Sequence, residues 1–215
     1  MQTLKKEIEE RILDAARVEF AEHGFAKAKM RSIAERAGVS TGNLYTYFPN
    51  KDDLFCALVA PTVDQINAYT NYDRMRSTEN GDECYTYEWH LDFYQEIADV
   101  HYRNHEDMKL ILFKSQGSSL EDFREDCVRK LDETAPRDKC ALPHPEAGER
   151  VDEFLWHSLH SFAVNTFIEM TMHDLNREEM MQCAIDLATY MYYGWKAIEE
   201  LRIKSFGRKT NDVHS

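Results

Sequence analysis

The stretch from Lys29 to Asp53, KMRSIAERAGVSTGNLYTYFPNKDD, constrains this chain more than any other. Met30, Ile33, Ala34 and Ala37 fall at i, i+3, i+4 and i+7, the apolar stripe of one short helix. Gly38 follows at once, and glycine enters the left-handed backbone that ends a helix without a Cβ penalty. Val39 plugs the turn, and Ser40 or Thr41 can cap a second helix by accepting a backbone N–H bond. Leu44 and Phe48, four apart, return to the same small core. Pro49 stops the helix, because the residue before a proline avoids helical geometry. The pattern is two short helices on a tight turn, with a third helix starting at Asn50.

The second helix leaves Thr41, Gly42, Asn43, Tyr45, Thr46 and Tyr47 outside. These are small, hydrogen-bonding or aromatic, and none is acidic. Such a face suits the DNA major groove, where side chains meet base edges and phosphates. A generic helical hairpin with a polar surface is the plainer reading, but it does not require the turn, the stripe and an uncharged face to coincide.

Charge supports the sharper reading once its distribution is considered. The net charge of −13 argues against a nucleic-acid partner when taken whole. Residues 1–60, however, hold nine Lys/Arg and nine Asp/Glu, while residues 61–215 hold 17 basic and 30 acidic. Between positions 27 and 51 five basic residues (Lys27, Lys29, Arg31, Arg36 and Lys51) face Glu35 alone. A local basic patch in front of an acidic body would direct a phosphate backbone to one surface. Lys29, Arg31 and Ser32, at the start of the first helix, join the DNA-contact candidates.

Three runs carry a resemblance: Ile33-Ala34-Glu35-Arg36-Ala37-Gly38-Val39-Ser40, then Gly42-Asn43-Leu44-Tyr45 with Tyr47-Phe48, then Asn50-Lys51-Asp52-Asp53-Leu54. Together they resemble the helix-turn-helix of the TetR family of bacterial transcriptional regulators, closely over roughly residues 8 to 60 and only architecturally beyond. Members often carry a capping Thr just before the helix that opens here at Met30. This chain has Ala26-Lys27-Ala28-Lys29 instead, so its lysines would supply charge in that place. The resemblance implies an all-α fold of about nine helices. A three-helix DNA-binding domain over residues 1–50 would be followed by a helical effector-binding and dimerisation domain over 51–215. It also implies that Lys51 contacts phosphate, that a homodimer binds a pseudo-palindromic operator in double-stranded DNA, and that the larger domain encloses a small-molecule cavity.

The rest of the chain reads as helices. The first spans 4–23, with Leu4, Ile8, Ile12, Ala15, Ala16 and Phe20 at helical spacing and Gly24 at its end. The fourth runs from Asn50 to about Tyr69, with Pro61 kinking or restarting it. A polar loop is expected over 71–84, helices over 85–104, 106–115 and from Ser119 to about Glu133, and a second loop over 134–148. The final helices, 149–173 and 177–203, are apolar nearly all round, so each must be buried on more than one side. One side can face its own domain and the other a second copy. Leu155, Leu159, Ile168, Ile185, Ala188, Tyr192 and Trp195 are the expected dimer contacts.

The body is rich in aromatic residues. Trp89, Phe93, Tyr94, Ile97, His101, Phe113, Phe123, Cys127, Trp156 and His160 are candidates to line an apolar pocket with a few polar groups, against the alternative of a plain packed core. Ring faces and acidic residues would also tolerate a cationic aromatic effector. His101-x-x-x-His105 and His157-x-x-His160, with Glu106 and Asp107, have spacings that suit a metal. Histidines that merely hydrogen-bond are the better reading, and neither metal nor cofactor is expected. Five scattered cysteines without a C-x-x-C pair fit a reducing cytoplasm, and no signal peptide or membrane span is expected. No catalytic motif is found. The sequence therefore reads as a repressor released by a small apolar or cationic aromatic effector. A helical small-molecule sensor or interaction protein with DNA binding lost or secondary comes second, and an enzyme third.

Overall fold

Helical periodicity along the chain is realised as helices among the described residues. The computed structural model describes residues 2–70, 86–134 and 148–212. Among these are nine helices: α1 (Gln2–Lys27), α2 (Met30–Ala37), α3 (Thr41–Tyr47), α4 (Lys51–Thr70), α5 (Tyr87–Arg103), α6 (His105–Phe113), α7 (Phe123–Thr134), α8 (Gly148–Met172) and α9 (Arg177–Asp212). No strand occurs among the described residues, in keeping with the expected all-α class. The loop expected over 71–84 lies outside the described residues. So does that over 134–148, apart from its two helical ends.

The chain divides into two units, one comprising the residues up to Gln65 with Asn104–Arg124, the other Ile66–Arg103 with the residues from Glu125 onward. In the first unit, α1 presents Ile12, Ala15, Ala16 and Phe20 to the core, and all four are buried. Gly24, at φ 68° and ψ 165°, breaks the helical backbone where the sequence places the end of the helix. The last turn, to Lys27, resumes beyond that break. Just after it, the Phe25 N–H donates to the Lys114 carbonyl at 2.7 Å. Phe20 and Phe25 both meet the ring of Phe55 edge-on, at 5.0 and 5.4 Å between centroids. Burying each such ring is worth about 1.5–3 kcal/mol relative to leaving it in water.

Asn50 caps α4 reciprocally: its Oδ1 accepts from the Asp53 N–H at 2.8 Å and its amide donates to Asp53 Oδ2 at 2.9 Å. The helix does not restart at Pro61 but continues to Thr70, although proline removes one N–H from its ladder. Asp107 of α6 accepts from the Thr62 hydroxyl of α4 at 2.9 Å and pairs with Arg17 of α1. One carboxylate thus ties three helices of this unit.

The second unit packs α5, α8 and α9 around Tyr94, Ala98, Ala163, Phe167, Met170, Met180, Ala184, Leu187 and Ala188. Four alanines let the helix backbones approach closely, while Phe167 and the methionines fill the space between them. His101 is buried here, its Nδ1 3.1 Å from Thr171 Oγ1, and that hydroxyl donates on to the Phe167 carbonyl at 3.0 Å. The polar pair is satisfied inside an otherwise apolar layer.

Candidate nucleic-acid interface

The turn between α2 and α3 follows the sequence closely. Gly38 sits at φ 67° and ψ 34°, donates to the Glu35 carbonyl at 3.1 Å, and is followed by Val39 donating to Ala34 at 3.0 Å. These two bonds satisfy carbonyls that a helix end would otherwise leave open. The guanidinium of Arg11, on α1, takes the neighbouring carbonyls of Ala37 and, at 3.3 Å, Gly38. The left-handed backbone favours glycine there, and a Cβ at position 38 would lie 2.8 Å from that guanidinium, which would have to shift. Ser40 Oγ accepts from the Asn43 N–H at 3.1 Å and caps α3. Leu44 and Phe48 are buried, as are Met30, Ile33, Ala34 and Ala37.

The front of α2 is held by a residue that the sequence reading missed. Lys29 is the cap position and makes no side-chain cap bond. Glu19 of α1 supplies it from outside: its carboxylate accepts from the Lys29 N–H at 3.1 Å and from the Ser32 hydroxyl at 2.7 Å. Glu19 is only 2% exposed. Burial alone would raise its pKa. The bonds from Ser32 and Lys29, with the charges of His23 and Arg36, outweigh this and hold the carboxyl below its usual range. A carboxylate at i+4 from Ala15 and i+3 from Ala16, inside an apolar stripe, was the available signal.

Lys51 is likewise turned to structural use. Its Nζ donates to the carbonyls of Phe25, Ala26 and Ala28 at 2.6, 3.3 and 3.2 Å, and lies 4.5 Å from the Phe25 ring centre. The ammonium caps the turn between α1 and α2.

The six residues of α3 expected to face outward differ in exposure. Gly42, Tyr45 and Thr46 are exposed, and Thr41, Asn43 and Tyr47 are half-buried. Thr46 Oγ1 folds back on the Gly42 carbonyl at 3.2 Å, and the Cβ position of Gly42 has open space within 4 Å. Lys29 and Arg31 are exposed beside this face, while Ser32 is half-buried on Glu19. Arg31 pairs with Glu35 at 4.0 Å and Arg36 with Glu22 at 3.0 Å, both on the surface, where such pairs are weak and exchange readily for phosphate. Glu19, Glu22 and His23 bring three ligand-type atoms together, but Ser32, Lys29 and Arg36 already occupy these carboxylates.

The remaining expected site residues divide between the units. Phe113 and Phe123 belong to the first, exposed and buried respectively. Trp89, Phe93, Tyr94, Ile97, His101, Cys127, Trp156 and His160 belong to the second. There Tyr94 and His101 are buried in the α5–α8–α9 layer, with Ile97 packed against it. Trp89 stacks on Phe93 at 5.0 Å. Burial pushes the Cys127 thiol up to about 12, so it is an inert core group. Of the expected dimer contacts, Leu155, Leu159, Ile168, Ile185, Tyr192 and Trp195 are half-buried, while Ala188 is fully buried in its own chain. Large apolar side chains missing from that expected set stand on the same two helices: Phe154 is 71% exposed, Tyr190 63% and Leu201 67%. Among the described residues no helix is long and apolar enough to cross a membrane.

Known proteins share both the reader and the architecture. Residues 12–58 match the family of bacterial regulatory proteins described as the tetR family. The transcriptional repressor KstR of Mycolicibacterium smegmatis is 37% identical over 67 residues, covering 31% of this chain and 33% of that protein. The fatty acid metabolism regulator protein of Bacillus subtilis is 39% identical over 54 residues, covering 25% of this chain and 28% of that protein. The alignments thus span about a third of the curated relatives' length or less, and lie in the reader. The fold likeness is broader: a TetR-family regulator from Syntrophomonas wolfei superposes with a TM-score of 0.59 at 19% identity, covering 88% of this chain and 96% of that one. Residues 12–58 thus carry the helix-turn-helix of the tetR family of bacterial regulatory proteins, set in an all-helical frame like that of the Syntrophomonas wolfei regulator.

Proposed function

We propose that this protein is a cytoplasmic, non-enzymatic transcriptional regulator whose homodimer binds a pseudo-palindromic DNA operator and releases it when a small apolar or cationic aromatic effector binds the second unit. The observation that carries the reading is the outward face of α3, which is uncharged, exposes Gly42, Tyr45 and Thr46, and is flanked by exposed Lys29 and Arg31. The names of the relatives support both halves, one being a repressor and another a regulator of fatty acid metabolism. Two copies would meet through α8 and α9, whose exposed Phe154, Tyr190, Tyr193 and Leu201 form the kind of apolar surface that a lone soluble chain rarely keeps.

The chain passes between the units within α4 at Gln65 and Ile66, and again on either side of α6. Those crossings are where an effector in the second unit can act on the reader. Whatever factor the effector takes from DNA affinity, DNA takes from effector affinity. A gel shift with the protein's own upstream DNA tests the proposal. Binding falls steeply with salt, Tyr45→Ala weakens it on all sequences, and Asn43→Ala alters base preference. No salt-dependent shift, or equal loss of specificity from both substitutions, overturns the assignment of this face.

A further inference from the structure

Asp132 of α7 holds two histidines of α8 at once. Its Oδ1 lies 2.7 Å from His160 Nδ1 and its Oδ2 lies 2.8 Å from His157 Nδ1. An ionised carboxylate only accepts, so each imidazole must direct its Nδ1 proton at it. In a neutral ring the lone pair then sits on Nε2. His157 is exposed, and water can meet its Nε2. His160 is not: the residue is 5% exposed, and its buried Nε2 has no hydrogen-bond partner among the described residues. Burial pushes its pKa down in spite of the bond and charge of Asp132, which keeps the ring neutral. The result is an oriented, buried acceptor with nothing to accept, an arrangement that is costly and rare in folded chains.

The surroundings of that atom narrow what would satisfy it. Trp156, one helical turn earlier, stacks on the His160 ring at 5.5 Å and 30°. Trp195 of α9 lies 4.2 Å from Trp156 between ring centres, and both indoles are half-buried. A metal ion is the poorer fit. Among the described residues, ligand-type atoms of three such side chains converge only at Glu19, Glu22 and His23, not at Asp132 and its two histidines.

We propose that His160 Nε2 is the polar anchor of a ligand site in the second unit, which takes a planar aromatic molecule bearing one hydroxyl or N–H donor against the Trp156–Trp195 pair. This rests on the reading of that unit as the effector-binding one, and it adds the chemical class of the effector. Asp132 acts as a positioning residue, fixing the tautomer that makes Nε2 an acceptor. A site of this kind discriminates sharply, because an analogue without the donor leaves the buried acceptor unpaired.

The test uses the full chain without DNA and three probes of nearly equal shape: 2-naphthol, 2-methoxynaphthalene and naphthalene. Calorimetric titration should show 2-naphthol binding at least about tenfold more tightly than the other two. Quenching of the indole fluorescence should follow the same order. His160→Phe should erase the preference. Because that variant can also fail to fold, the unaltered protein carries a second readout: the 15N resonance of His160 Nε2 should move on adding 2-naphthol and stay in place with 2-methoxynaphthalene. Equal affinities, no naphthol binding, or an Nε2 resonance already showing a hydrogen bond to bound water and unmoved by naphthol would each overturn the proposal. DNA binding by the same preparation without any naphthalene compound is scored separately, so a failed reader and a failed anchor give different results.

Discussion

In the first unit Arg11, Glu19, Lys51 and Asp107 each join backbone or side chains of elements far apart in sequence, and each is satisfied by more than one partner. In the second unit Asp132 and Asp99 make such bonds too, but the core is alanine, methionine and aromatic packing, and the buried His160 Nε2 has no partner among the described residues. On the proposed function, the difference is that between a part whose shape is fixed before it meets DNA and a part completed by an effector and a second copy. Groove reading needs side chains presented in one geometry, and directional polar bonds specify geometry better than apolar contact does. An effector and a second chain need surface, and apolar packing leaves surface over.

Removing a ring from each unit should give the largest contrast. Phe55→Ala empties the centre of a three-ring cluster in which Phe55 is fully buried, and should lower unfolding free energy by about 3–5 kcal/mol. Phe154→Ala, at a side chain 71% exposed, should leave the stability of the dilute chain within about 0.5 kcal/mol and lower self-association in sedimentation. Equal losses in urea denaturation would erase the distinction between the two units.

Glu19→Gln comes next, at about 1–3 kcal/mol near neutral pH, since a buried network loses its charge-assisted bonds. The sign with pH follows from the depressed carboxyl. Its contribution is complete above the ordinary value of 4.5 and is lost as pH falls from there through the lower folded value. Denaturation curves of the natural protein should therefore weaken across that acid window, and those of Glu19→Gln should weaken less.

Lys51→Met should cost somewhat less than Glu19→Gln, and it sharpens the assignment of that lysine. If the ammonium serves the carbonyls it touches, stability falls by about 1–2 kcal/mol and the salt dependence of DNA binding is unchanged. If it serves a phosphate, stability holds and the salt slope drops by about one.

The sequence made the reader legible where its constraints are local. Gly38 had to be left-handed, Ser40 had to cap, and Met30, Ile33, Ala34 and Ala37 had to share a face, because each depends on neighbours within one or two turns. The residues that hold the reader in place were not legible. Arg11 reaches carbonyls 26 and 27 positions away, and Lys51 reaches back by 23 to 26. Periodicity carries no information about partners at that distance. Spacing alone also placed His157 and His160 on one helix without revealing Asp132, 25 and 28 positions earlier, as the group that orients both. Gly24 was identified correctly as a break, whereas a restart of the helix at Pro61 does not occur: a helix buried along one side continues through a single missing N–H.

Gly42 stands on the open face of α3 with no atom near its Cβ position, and its backbone is not in the left-handed region. Nothing within the chain requires a glycine there, and in a helix glycine costs about 1 kcal/mol against alanine. The proposed operator would supply a reason for it, as a surface that approaches the backbone too closely for a side chain. If α3 reads DNA as proposed, position 42 is thus the blank letter of the reading helix for anyone wishing to retarget the protein. Alanine there should make the fold firmer while loosening its hold on the native operator, and larger residues would offer a new contact to altered DNA without disturbing the bonds that keep the helix in place.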